Sequence, residues 1–180
     1  DRFVIHDDLG TNHSYTWTLS PDTAAVDAAF AAAAHTVSER YVQQRLIPEA
    51  METRGVAAVP GVYGGEMTVY SATQIPHILK IMIAATCGEP EHKVRVVAPS
   101  VGGGFGSKLN AYAEDYLAVA LAKRLGRPVK WIEERTENYQ ATIHGRDVVH
   151  ELTFAATKDG MITAVKSEAL CAMGAYLQLV

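Results

Sequence analysis

Residues 97 to 109, VAPSVGGGFGSKL, place Gly102, Gly103, Gly104 and Gly106 within five positions, after a hydrophobic strand pattern and just before Lys108. Successive glycines let a backbone take positive φ and bring its N–H groups to a ligand with no Cβ in the way. Between a strand and a helix, converging amides suit an anion or a polar oxo group. The same letters also describe a tight turn where two elements pack closely, and spacing alone leaves both readings open. Two phosphate-binding patterns fail letter by letter. A dinucleotide fingerprint begun at Gly102 meets Ser107 where its third glycine belongs, and the Gly-Lys-Ser/Thr of a Walker-type loop is absent, because Leu109 follows Lys108.

The elements around the loop predict a mixed α/β layering, α+β in class, rather than a regular doubly wound sheet. GVAAVP, EMTVYSA and KVRVVAP are short runs rich in β-branched residues and closed by Pro or by small residues, and each predicts a strand. IPHILKIMIAATCG begins on a proline and ends on a glycine, which predicts a helix between the last two. NAYAEDYLAVALAKRLGRP carries acids early, Lys123 and Arg124 late, and Gly126 with Pro128 as a stop, predicting a helix over residues 111 to 125. VKWIEER continues as a short strand running into polar residues. Earlier, residues 1 to 20 read as a connecting segment. Ser20 as N-cap and Pro21 at the first helical position open a helix whose Val26, Phe30 and Ala34 recur every four residues. HTVSERYVQQRLI predicts a long strand, and residues 146 to 176 predict a hairpin turned by Lys158-Asp159-Gly160.

Composition narrows the function classes. With 16 basic and 20 acidic residues in 180, the net charge of -4 gives no reason to expect nucleic acid or an anionic membrane as partner. Cys87 and Cys171 stand far apart, outside any CxxC spacing, so neither a disulfide framework nor an iron-sulfur site is encoded, and a reduced, cytoplasmic setting is expected. No apolar stretch approaches the ~20 residues of a membrane span, and the start lacks a signal-peptide pattern. The first residue is Asp1 rather than Met, so a piece excised from something longer is expected. The histidines, among them His77, His92, His144 and His150, show no metal-ligand spacing.

Five blocks in order, QRLIPEAME, YSATQIPH, VGGGFGSK, LGRPVKW and HGRD, carry a resemblance across the whole chain. The sequence resembles the large subunit of the molybdenum hydroxylases, the xanthine oxidase family, and within it the carbon monoxide dehydrogenase and aldehyde-oxidising branch. The resemblance implies molybdopterin as cofactor, in its cytosine dinucleotide form, held by Gly103, Gly104, Phe105 and Gly106, with a backbone amide near Phe105 directed at an oxygen on the metal. It implies that the side-chain amide of Gln74 donates to another such oxygen. Without it, Gln74 reads as a strand-end residue capping the helix that starts near Pro76.

The resemblance further implies that residues 21 to 180 form the first molybdopterin-binding domain, and that the rest of a large subunit, an iron-sulfur small subunit and an FAD-binding medium subunit are partners. Leu109 stands where purine-oxidising members carry a glutamate, which counts against xanthine and leaves CO, an aldehyde or an N-heterocycle as the small-molecule substrate. Arg146 of HGRD matches an arginine of the substrate channel, or else makes a structural ion pair with Asp147 or Glu134. Thr53 departs from the proline usual after Met-Glu, and Glu52 with Arg54 reads as a structural pair. Lys108 reads as a solvated lysine at a helix entrance. The catalytic glutamate and the cysteine loop of the CO branch match positions beyond Val180, so the chain alone is expected to hold no catalytic residue and to be inactive. Two readings without the family remain: a nucleotide- or phosphometabolite-binding module built on the loop, and a structural or assembly segment.

Overall fold

The computed structural model describes residues 3–20 and 22–175. Two short 3-10 turns aside, the elements run α1 (Ala24–Ala31), β1 (His35–Leu46), β2 (Gly55–Val59), β3 (Met67–Ser71), α2 (Pro76–Cys87), β4 (Val94–Val97), α3 (Ala113–Leu125), β5 (Val129–Ile132), α4 (Arg135–Ala141), β6 (Gly145–Ala156) and β7 (Ile162–Cys171). They gather into two compact units. Arg45–Gly145 make one, and the described residues up to Gln44 and from Arg146 onward make the other.

In the discontinuous unit the sheet order is β1-β6-β7. β6 and β7 pair antiparallel, Leu152 opposite Ser167, across the predicted turn, where Gly160 takes φ 89°. The first helix starts later than the sequence suggests. Thr23 is its N-cap, the Asp22 carboxylate accepts from the Ala24 N–H at 3.1 Å, and Ser20 instead donates to the Asp22 carbonyl. Asp22 outcompetes Ser20 because an ionised oxygen is the stronger acceptor for an orphan helix amide. Pro21, expected at the first helical position, lies outside the described residues. The helix packs on β7, with Lys166 bonded to Asp27 at 2.6 Å and lying over the Phe30 ring.

The continuous unit carries the glycine loop. Its mixed sheet has the order β4-β3-β2-β5, with β2 antiparallel to β3 and β5, and β3 parallel to β4 across the α2 crossover. Alternation along these strands turns Val56, Ala58, Met67, Val69 and Val94 onto one face, against Leu79 and Ile83 of α2 and Ala118, Val119 and Ala122 of α3. The result is two layers, helices on one face of the sheet. α2 ends as its letters predict, Gly88 in the left-handed region with φ 65°. At the start of α3 the Asp115 carboxylate accepts from the Tyr112 N–H at 3.1 Å and from the Ser71 hydroxyl at 2.9 Å, tying helix to strand end. Sequence reasoning ran into polar residues after β5 and missed α4. Its seven residues offer no apolar repeat, and its one signal is Glu137 reaching back to the Glu134 N–H at 2.7 Å.

Beneath the loop lies a polar core centred on Arg54, which is only 5% exposed. Its guanidinium donates from Nε to Glu133 at 2.9 Å, from one terminal nitrogen to Glu133 at 2.5 Å and from the other to Glu114 at 3.1 Å. The Tyr112 ring lies 3.7 Å from its carbon, in cation-π contact. Glu133 also accepts from the Arg54 N–H, from Asn138 at 2.8 Å and from Thr142 at 3.2 Å. Arg54 therefore pairs with Glu133 and Glu114, and not with Glu52 as expected, since Glu52 is engaged elsewhere. Thr53 also makes a bond that the usual proline could not: its hydroxyl donates to the Glu133 carbonyl at 2.7 Å.

Burial pushes the Glu133 carboxyl up, but Arg54 and Asn138 more than reverse this and hold it below the usual glutamate range. For Asp115, burial wins over the Ser71 and Tyr112 bonds and its carboxyl is raised. The two therefore act oppositely with pH. The stabilisation from Glu133 is full above its unfolded value of about 4.3 and is lost as pH falls through the depressed folded value, whereas that from Asp115 is lost as pH rises through its raised one. Two outcomes are expected by chemical denaturation. Leu79→Ala, fully buried, costs about 2–5 kcal/mol. Glu133→Gln costs about 3 kcal/mol at neutral pH and flattens the loss of stability below about pH 4; an unchanged acid slope would refute the linkage to Glu133.

Candidate functional site

The loop after β4 bends through the left-handed region at Gly103 (φ 94°), Phe105 (φ 52°) and Gly106 (φ 92°). For Phe105 this is a costly conformation, and its side chain stands 74% exposed. Within the turn, Ser107 N–H donates to the Gly104 carbonyl at 2.9 Å and Leu109 N–H to Gly106 at 3.1 Å. The Gly106 and Lys108 N–H groups both donate to the Gln74 side-chain carbonyl, at 3.1 and 3.2 Å. Among the described residues, the N–H groups of Gly103, Gly104 and Phe105 have no partner. Three consecutive amides of the loop are thus left over once the loop has folded on itself.

Gln74 does not cap α2. Ahead of the helix the Thr73 hydroxyl accepts from the Ile75 N–H at 3.1 Å, while the Gln74 backbone N–H donates to the Lys108 carbonyl at 2.9 Å. With its carbonyl oxygen committed to two loop amides, the Gln74 side chain is exposed and its Nε2 has no acceptor among the described residues. The approach is close. A Cβ built at Gly104 would overlap the Gln74 carboxamide, with Cγ at 2.7 Å, so a side chain there would displace the carboxamide. At Gly103 a Cβ would meet the Phe105 ring at 2.7 Å.

Lys108 is not a solvated lysine. Its side chain is 1% exposed, and its ammonium donates to Glu52 Oε2 at 2.8 Å. The same oxygen accepts from the Gly102 N–H at 2.8 Å, and the Glu52 N–H donates to the Gly102 carbonyl at 3.2 Å. Burial pushes the Glu52 carboxyl up, but Lys108 and the Gly102 amide hold it below the usual range. Tyr112 completes the support, donating its hydroxyl to the Ser107 carbonyl at 2.6 Å while its ring rests on Arg54. Sequence reasoning missed these supports. Glu52 and Lys108 are 56 residues apart, and only the buried position of a lysine inside a glycine loop hints that it needs a carboxylate.

Leu109 sits half-buried at the end of the same loop, in the same unit as Gln74. Arg146 belongs to the other unit, exposed at the start of β6 with φ 69°. The structure therefore brings together Gln74, Gly103, Gly104, Phe105, Gly106 and Leu109. Among the described residues there is no group of His, Cys, Asp and Glu that could hold a metal directly, and no helix is long and apolar enough to cross a membrane. The donor set fits a group that brings its own ligands and offers oxygen acceptors: unpaired backbone amides, a carboxamide N–H, and a cradle that a Cβ would fill.

Comparison with known proteins agrees with this chemistry. Residues 5–180 match the molybdopterin cofactor-binding domain model. The chain is 39% identical over 165 residues to the carbon monoxide dehydrogenase large chain of Hydrogenophaga pseudoflava, covering 92% of this chain and 20% of that one. It is 37% identical over 151 residues to the nicotine 6-hydroxylase large subunit of Paenarthrobacter nicotinovorans, covering 84% and 18%. Among solved structures, quinoline 2-oxidoreductase from Pseudomonas putida 86 superposes with a TM-score of 0.72 at 35% identity, covering 88% of this chain and 20% of that one. The chain spans about a fifth of the length of the curated relatives it matches. It belongs to the molybdopterin cofactor-binding domain family of the molybdenum hydroxylase large subunits.

Proposed function

We propose that this chain forms part of the molybdopterin cradle of a molybdenum-dependent oxidoreductase. The observation that carries the reading is the set of three unpaired amides, Gly103, Gly104 and Phe105, beside a Gln74 carboxamide whose oxygen is locked inward and whose Nε2 is free. When bound, molybdopterin supplies the redox centre that takes electrons from the substrate. The chain's own contribution is to orient and polarise: neutral donors hold oxygen acceptors without becoming metal ligands, and they are fixed before the cofactor arrives. Gly106 permits the turn that aims these donors.

Within the reading, residues 21 to 180 form the first cofactor-binding domain, and the cofactor is the cytosine dinucleotide form. Leu109 supplies an apolar wall that cannot hydrogen-bond a purine. Arg146 faces the substrate channel. CO, an aldehyde or an N-heterocycle is oxidised with water-derived oxygen, and relatives bearing the names carbon monoxide dehydrogenase and nicotine 6-hydroxylase support that range. The rest of the large subunit contributes the catalytic glutamate, and iron-sulfur and FAD subunits carry the electrons away. The setting is cytoplasmic.

Elemental mass spectrometry and oxidised-pterin fluorescence on the holoenzyme test the cradle. Molybdenum and pterin are expected in equal amounts in the wild type, falling several-fold in Gln74→Ala and in Gly104→Ala, with the folded circular dichroism spectrum retained. A wild type free of both would end the reading. The 180-residue chain alone, offered molybdopterin and then CO, aldehydes and N-heterocycles, is expected to show no turnover; steady product formation would contradict the division of roles.

A further inference from the structure

Lys108 is tied at three points. Its ammonium donates to Glu52 at 2.8 Å, its N–H donates to the Gln74 side-chain carbonyl at 3.2 Å, and its own carbonyl accepts from the Gln74 N–H at 2.9 Å. Glu52 grips the other end of the loop through Gly102, in both directions. One carboxylate and one lysine stem thus fasten residues 102 and 108, and the open amides lie between them.

We propose that the Lys108–Glu52 ion pair is a positioning device for the Gln74 carboxamide and the open loop amides, and through them for molybdopterin; this rests on the cradle reading above. The physical reason lies in burial. An ammonium with 1% side-chain exposure is tolerable only with its partner in place, so the pair fixes where the Lys108 stem runs. Where the stem runs decides where the Lys108 N–H points, and that N–H is one of the two donors that hold the Gln74 oxygen inward. Gln74 is exposed and has three side-chain torsions, so little else stops its carboxamide from turning. The Glu52 side chain is 40% exposed, and its Oε2 carries both the ammonium and the Gly102 amide. The pair serves geometry rather than charge, because its two members neutralise each other. Lys108 and Glu52 touch no reacting group and are positioning residues.

The test compares the holoenzyme with Lys108→Met, Glu52→Gln and, as a control, Val69→Ala, which removes packing from the sheet core away from the loop. Hydrogen exchange of the peptide spanning residues 102 to 110 is followed by mass spectrometry, and pterin is measured after desalting. In both pair variants the loop peptide is expected to exchange at least about tenfold faster, as loss of a charge-assisted bond implies, and pterin to be largely lost. Val69→Ala, though lower in Tm, is expected to keep wild-type loop exchange and pterin. Wild-type exchange in Lys108→Met would overturn the device, as would equally fast loop exchange in Val69→Ala. Faster loop exchange in the pair variants of a protein that never held pterin would sink the cradle reading and leave the clamp standing. Pterin fully retained on a loosened loop would overturn the clamp's link to the cofactor and leave the cradle.

Discussion

The buried guanidinium of Arg54 is the constraint on which the rest of the cofactor-bearing unit depends. An ionised group so deep would unfold its surroundings if left alone, and here it is met by two carboxylates and an aromatic face. The partners come from two places in the chain: Glu133 follows β5, while Tyr112 is the N-cap of α3 and Glu114 lies in its first turn. The charge therefore fixes where α3 begins relative to the sheet. Because the Tyr112 hydroxyl holds the Ser107 carbonyl, it also fixes the far end of the glycine loop. A hydrophobic core brings layers together without choosing one register so sharply. A planar ion with five directed donors chooses.

Above this anchor, the loop spends its hydrogen-bonding capacity unevenly. Five of its amides are consumed in holding shape, by Glu52, by Gln74 and by the internal carbonyls of Gly104 and Gly106. The three between Gly102 and Gly106 are not. Phe105, whose N–H is one of these three, is held in the left-handed region at φ 52°, which is costly for a phenylalanine. Gln74 shows the division within one side chain, its oxygen structural and its nitrogen available.

Much of the fold was legible because it follows local rules. Strands with β-branched runs, helices opened by Pro76 and closed by Gly88 or Gly126, and a hairpin at Lys158-Asp159-Gly160 all announce themselves within a few residues. The start of α1 differs from the sequence expectation because the Asp22 carboxylate, two residues after Ser20, takes the Ala24 amide, and α4 escapes notice because a short polar helix held by its cap has no apolar rhythm. The loop was legible as a loop, and the family blocks gave Gln74 its role. What could not be read was who supports whom. The partners of Arg54, Lys108 and Thr53 lie 79, 56 and 80 residues away, and only folding makes such pairs neighbours.

The two units differ in how the chain supplies them, and this shapes the order in which they can form. Arg45–Gly145 is one uninterrupted stretch, whereas the sheet β1-β6-β7 must recruit β1 from one side of that stretch and β6 with β7 from the other. In this sheet β1 pairs with β6, which the chain supplies only after the whole intervening unit. Closing so long a loop is slow unless the loop has already become compact. The folded cofactor-bearing unit shortens that search by bringing the ends of its own stretch under control. Joining β1 to β6 is thus the long-range closure of this sheet, and a compact intervening unit lowers its entropic cost.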